Sequence, residues 1–260
     1  MIKELPSISI ITPSFNQGQY IRQTIESVLS QRYSGVEYIV IDGLSTDNSL
    51  SILGEYRDKL TLIAEKDEGQ TDAINKGIKL ATGDIVCWLN SDDFFLPNTL
   101  QTIGEYFAAN PDMLWLTGDL CIVNEEGRTI QQPIRYYKKL LRYLSPFVYL
   151  GVTNSICQPS TFWRRSVHDQ LGYLDESLRY TMDYDWWLRL CKTKSPTILS
   201  QTLAAFRIHT ASKGGSEYVK QFAEDYQTLC RHEPDKFVRR LHSTHNILIT
   251  KVYDLLKWEI

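Results

Sequence analysis

The chain has 260 residues, 43% hydrophobic and 23% charged, a balance that supports one large α/β domain or one domain with a small appendage. Its net charge of −3 supplies no basic field, which excludes nucleic acid as the main partner. Five cysteines, an odd number without a C-x-x-C pair, argue against a disulfide framework and for a reducing compartment.

The first residues, with Lys3 and Glu4, lack the apolar stretch of a signal peptide, and no run of apolar residues is long enough to span a bilayer. The expectation is a cytoplasmic protein, free to rest on the inner face of a membrane. Residues 7–12 read as a strand ending at Pro13. Between Gly18 and Gln31, the spacing of Ile21, Ile25, Val28 and Leu29 predicts a helix. Residues 38–41 form an apolar strand that stops at Asp42-Gly43, and the polar turn 45–48 offers helix caps. A third strand covers 60–64, and a helix follows from about Asp72 to Ala81. The strand 85–89 ends at Asn90-Ser91-Asp92-Asp93, and Pro97 and Asn98 open another helix.

This alternation predicts an α/β fold, with a mostly parallel central sheet flanked by helices. Ligands in such sheets bind beyond the carboxyl ends of the strands. Phe15 and Asn16, Asp42, residues 65–70 and residues 90–93 all follow strands, so they fall on one edge. The second half is less regular. Residues 113–123 read as a strand broken at Gly118, with a turn at 125–127. Helices are expected over 136–144, 164–171 and 183–191, and strands over 161–163 and 197–206. Two tail helices, 217–231 and 235–258, are the only stretch that reads as a separate unit.

Several clusters could carry chemistry. Asp92 and Asp93 repel each other unless a cation sits beside them, and a hard divalent ion bound to phosphates suits oxygen ligands. The plainer reading is a turn capping the next helix. Asp42 could accept from a nucleobase or a ribose hydroxyl, or simply close its turn. Phe15 could cover a base face or fill the core. The stretch 65–77, with Asp67, Gln70, Asn75 and Lys76, leads into a helix N-terminus that attracts anions, though its acids could also cap that helix. Asp183 and Asp185 begin a helix whose dipole favours acids. Asp185 and Arg189 are spaced to pair, which leaves Asp183 for a general base. His209, at a strand end, could bind a metal or pyrophosphate, with Lys213 nearby. No Walker loop, G-x-G-x-x-G, H-E-x-x-H or G-x-S-x-G occurs.

Over residues 5–212 the chain resembles the inverting family 2 glycosyltransferases of the GT-A fold, of the kind that build bacterial polysaccharides. The carrying segments are 9–16, 25–31, 41–47, 69–77, 81–84, 90–97, 183–188 and 207–209. The resemblance implies that Thr12, Phe15 and Asp42 hold the nucleotide base. It implies that Asp92 is the last residue of a D-x-D motif reaching metal and pyrophosphate. Asn90 replaces the first aspartate, which weakens the expected ribose or metal contact, and Asp93 is an extra acid. Asp183 falls at the catalytic base, although Met182 replaces the usual preceding glutamate. His209 falls at a late metal ligand. A processive Q-x-x-R-W motif is absent, which suggests transfer of one sugar.

The expected donor site comprises Thr12, Pro13, Phe15, Asn16, Asp42, Asp67, Gln70, Asn75, Lys76, Asn90, Ser91, Asp92 and Asp93. The resemblance also implies a Mn²⁺ or Mg²⁺ cofactor, a UDP-sugar donor, and a glycan or lipid-linked saccharide acceptor. The expected catalytic domain is 1–212, with a nucleotide-binding half (1–97) and an acceptor half (98–212), followed by a helical tail (213–260). A nucleotide-sugar-binding protein without catalysis is the alternative that Asn90 and Met182 favour. A nucleotidyltransferase lacks support, because residues 13–18 are not Gly- and Arg-rich. Residues 236–260 hold five Lys/Arg against two acids among apolar residues, which suits an anionic membrane surface or a packing or homodimer helix.

Overall fold

Seven consecutive buried residues make β1 (Ile8–Ser14) a strand covered on both faces, as a central parallel strand requires. In the computed structural model, which describes residues 4–145, 147–210 and 218–256, β2 (Val36–Asp42) and β4 (Ile85–Trp88) flank β1 in parallel. A further parallel strand, β3 (Thr61–Ala64), adds to β2. The helices α1 (Ile21–Leu29) and α2 (Ser49–Gly54) contact each other, while α3 (Gln70–Leu80) packs on β1 and β2. Right-handed crossovers place the first two on one face and α3 on the other.

Beyond β4 come β5 (Phe94–Phe95), α4 (Thr99–Ala109), β6 (Trp115–Val123), β7 (Thr129–Ile130) and α5 (Gln132–Arg142). A π-helical turn (Phe147–Val152) and a 3-10 turn (Gln158–Ser160) lead to β8 (Thr161–Arg164). Then follow α6 (His168–Leu171), α7 (Met182–Thr193), β9 (Thr197–Arg207), α8 (Tyr218–His232) and α9 (Lys236–Leu256). The sheet order is β3-β2-β1-β4-β8-β6-β9-β5, with β7 on β6. The expected parallel order holds for the first four strands, and the second half is mixed. There β8 runs antiparallel to β4 and β6, whereas β9 runs parallel to β6. Consequently β4, β6 and β9 point the same way, and the end of β9 lies on the edge where β1 to β4 end.

The break expected at Gly118 is a bulge inside one continuous strand, marked by register shifts on both sides of Asp119. A Cβ at Gly118 would stand 2.4 Å from the Leu203 side chain, so only glycine fits there. Four tryptophans form the centre of the core. Trp187 of α7 stacks on Trp88 of β4 and on Trp115 of β6, each at 5.7 Å, and Trp163 of β8 meets Trp88 and Trp187 edge-on. This cluster joins the two halves of the sheet.

The tail helices pack against the preceding elements. α8 packs on α7, and α9 packs on α8 and the π-helical turn. His242 of α9 is fully buried and lies 2.7 Å from Asp225 of α8. No described helix is long and apolar enough to cross a membrane. Lys213 and Trp258 lie outside the described residues.

Candidate active site

The two-residue strand β5 organises the exit of β4. It pairs antiparallel with β9, Phe94 opposite Ala205 and Phe95 opposite Ala204, and so lays Asp92 beside the end of β9. There Asp92 Oδ2 stands 3.0 Å from His209 Nε2, although 117 residues separate them. Arg207 is the strut beneath. It is buried, its Nε donates to the Asp92 carbonyl, and its Nη1 donates to the carbonyls of Asn124 and Glu125. Its guanidinium lies over the Tyr20 ring, which also sits 4.8 Å from the His209 ring.

Asp93 departs from its expected place among the donor-binding residues. It is completely buried and accepts from the Arg207 N–H at 2.9 Å and from Asn90 Nδ2 at 3.1 Å. Burial, and then the charge of Asp92, push its carboxyl well above the usual range. The β5–β9 pairing sets it against the backbone of Arg207 at the end of β9. Ser91 is also buried, and Thr24 Oγ1 reaches the carbonyls of Ser91 and Asp93. Asn90 is a cross-link: it accepts from Gln70 Nε2 at 2.8 Å and donates to Asp93 and to Gln158 Oε1. Gln158 in turn donates to the Trp88 carbonyl.

The residues expected to meet the base divide. Phe15 is 57% exposed, and Asn16 beside it is exposed with a left-handed φ of 52°. The Asn16 side chain accepts from Thr46 N at 2.8 Å, which ties the loop after β1 to the loop after β2. Thr12 and Pro13 are buried within β1, and Thr12 Oγ1 lies 3.2 Å from the Tyr38 hydroxyl. Asp42 sits at its expected strand end, but its carboxylate is fully buried. It accepts from Ser14 Oγ, Ser45 N and Ser45 Oγ at 2.7–2.8 Å, and so shapes the loop after β2. Asp67 folds over Gly43, where a Cβ would lie 2.4 Å from its Oδ2, and burial raises its carboxyl above the usual range.

Two residues of α3 take other roles. Asn75 is 1% exposed and clamps the loop above it, donating to the Leu174 carbonyl and Glu176 and accepting from Leu174 N. Lys76 is committed to Glu65 at 2.9 Å and Asp72 at 3.2 Å. Both face away from the Asn90 cluster because helical rotation carries them off the side that Gln70 occupies.

Asp183 opens α7 and is half-buried. Removal from water raises its carboxyl to about 6, opposed by the Tyr184 N–H and Asn154 Nδ2 that donate to it and supported by the nearby charge of Asp225. As the spacing implies, Asp185 pairs with Arg189 at 2.8 Å; it also meets His232 at 2.6 Å. From α8, Glu224 accepts from the N–H groups of Tyr180 and Thr181 just before α7. Asn154, Gln158 and Glu224 carry no pattern in the sequence, since each acts through a partner more than 25 residues away.

The Asp92–His209 pair fits a divalent ion. The two atoms share a hydrogen bond at 3.0 Å, and neighbouring ligands about 2.1 Å from one octahedral ion would stand about as far apart. Among the described residues no group of three or more His, Cys, Asp or Glu could hold a metal alone, so a substrate diphosphate and water would complete the shell. A cavity of about 370 Å³ beside Asn110, Asp112, Lys194 and Thr197 lies at the opposite, amino-terminal edge of the sheet and contains none of these groups.

The family model for glycosyl transferase family 2 matches residues 9–172. An uncharacterized glycosyltransferase of Nostoc is 30% identical over 97% of this chain and 84% of its own length. Another, from Rickettsia prowazekii, is 30% identical over 94% and 75%. Among solved structures, S. aureus TarS in complex with UDP-GlcNAc superposes with a TM-score of 0.69 at 20% identity, covering 92% of this chain and 71% of that one. The mannosyltransferase PcManGT of Pyrobaculum calidifontis, in complex with GDP-Man and Mn²⁺, superposes with a TM-score of 0.65 at 15% identity, covering 98% and 82%. The likeness to both solved structures is one of fold.

Proposed function

The chain belongs to glycosyl transferase family 2, and from that premise we propose that it moves one sugar from a UDP-sugar to a hydroxyl of a glycan or lipid-linked oligosaccharide, with inversion. The observation that carries this reading is the meeting of Asp92 and His209 at 3.0 Å on the edge where the parallel strands end. A divalent ion such as Mn²⁺ or Mg²⁺, held by these two residues, would supply positive charge against the donor diphosphate.

Asp183 is the general base. With its carboxyl raised to about 6 it is ionised at neutral pH, yet more basic than an ordinary aspartate. It takes the acceptor hydroxyl proton while the oxygen bonds to the anomeric carbon from the face opposite the nucleotide. The bond from that carbon to the diphosphate oxygen breaks, and its electrons leave with the nucleoside diphosphate. Asn154 and the Tyr184 N–H hold the carboxylate in place. Phe15, exposed beside the Asn16–Thr46 link, offers a stacking face for the base. The tail helix α9 brings exposed Arg240 and Lys251 to the surface, which suits peripheral contact with the cytoplasmic face of a membrane where a lipid-linked acceptor is presented.

The test is nucleotide release from a panel of UDP-, GDP- and dTDP-sugars with Mn²⁺, Mg²⁺ or EDTA, alongside calorimetry of the free nucleotides. Metal-stimulated release from UDP-sugars is expected. Tight UDP binding without turnover of any donor would favour the noncatalytic sugar-nucleotide-binding alternative, which Asn90 and Met182 motivate.

A further inference from the structure

Helix α5 is amphipathic with its polarity reversed. Its outer side carries Tyr136 (61% exposed) and Leu140 (62%), four residues apart, and Tyr143 (50%) and Leu144 (58%) extend the stripe just beyond its end. Its charged residues turn inward: Arg135, Lys139 and Arg142 lie 2.8, 3.3 and 2.7 Å from Asp119, which is 1% exposed. A surface helix ordinarily does the opposite. An apolar stripe left outside in this way marks an interaction surface.

Charge indicates what covers it. No Asp or Glu occurs between Glu126 and Asp169, whereas α5 alone contributes Arg135, Lys138, Lys139 and Arg142. Asp119 carries one charge against the three cations it touches, and Lys138 faces Asp183, so the apolar stripe sits on a base with a net positive charge. Tyrosines and leucines over lysine and arginine fit the boundary between acyl chains and anionic headgroups, where an aromatic ring buries its body and keeps its hydroxyl wet. The outer side of α9 continues this surface with Ile247 and Leu248, each 57% exposed, beside the exposed Lys251. The two helices join where the Tyr137 hydroxyl stands 2.8 Å from His245 Nε2, with the rings stacked.

We propose that the outer faces of α5 and α9 form one docking surface for an anionic lipid bilayer. This rests on the membrane contact proposed above for α9 and extends it to a helix inside the sheet domain. The chain leaving α5 runs through the π-helical turn to Asn154, the partner of Asp183, so the docked surface leads directly to the base.

The test is flotation of the full chain with vesicles of equal parts phosphatidylcholine and phosphatidylglycerol, and with phosphatidylcholine alone. Two double variants are compared, Tyr136→Ser with Leu140→Ser and Ile247→Ser with Leu248→Ser, each checked for an unchanged melting temperature. The parent chain should float with the anionic vesicles and less at high salt. Each pair of substitutions should lower partitioning at least about tenfold. Undiminished flotation of the α5 variant would overturn the proposal while leaving contact through α9 alone. A parent chain that ignores vesicles but forms a dimer, dissolved by the α5 substitutions, would also overturn it and assign the surface to a second copy. Flotation needs no turnover, so a chain that docks but transfers no sugar leaves this inference standing and defeats the transferase reading instead.

Discussion

As the proposed base, Asp183 answers two opposed demands, since a base gains strength from burial while a buried charge weakens the fold. Asp183→Asn should cut kcat by about 10²–10⁴-fold, measured as released nucleotide, with donor binding retained. In the parent enzyme kcat should fall as pH drops below about 6, where Asp183 takes up a proton. The stability effect has a defined sign. A carboxyl raised in the folded state favours folding in its protonated form, and that contribution is lost as pH rises through about 6. The Asn variant should therefore gain melting temperature relative to the parent at pH 8 and gain less at pH 5. Asn90 also has a physical reason. It donates to Asp93 and Gln158 Oε1, and an aspartate there could donate to neither. Asn90→Asp should cost about 1–3 kcal/mol in denaturant unfolding, because it sets a second carboxylate against a buried one. The sequence marks Asp92, His209 and Asp183 by their positions after strands or at a helix start. It cannot mark that Asp42, Asp93 and Asn75 are turned inward, because an exposed acid and a buried, bonded one look identical in a string of letters.

Among the elements, β1 to β4 are legible because parallel strands covered on both faces read as apolar runs bounded by turn residues. β5 is not, since two phenylalanines have no period, yet this strand brings Asp92 to His209. The Gly118 bulge re-aims a strand without ending it, and it delivers Asp119 to the inner side of α5. Asp119→Ala should lower stability by about 3–5 kcal/mol, since it leaves Arg142, 2% exposed, as a buried charge without its partner; equilibrium urea unfolding measures this. Glu224 performs a similar service at the start of α7. Glu224→Ala should cost about 0.5–2 kcal/mol, as loss of a helix cap does, and should lower kcat more than it raises KM because it loosens the helix that carries the proposed base.

Across the whole molecule, the family match ends at residue 172, but α7, which carries the proposed base, and both tail helices lie beyond it. A chain ended at residue 233 would lose His242, fully buried against Asp225 and stacked on Tyr184, so its melting temperature should fall even if its sheet survives. The sheet halves themselves meet through Trp88, Trp115, Trp163 and Trp187. Indoles stacked this closely share their excited states, so the near-ultraviolet circular dichroism of the chain should contain a coupled band that separated tryptophans lack. The protein thereby carries its own optical gauge: the band should vanish when the halves part, while the helical signal persists, and Trp187→Phe should silence most of it in a chain that remains folded.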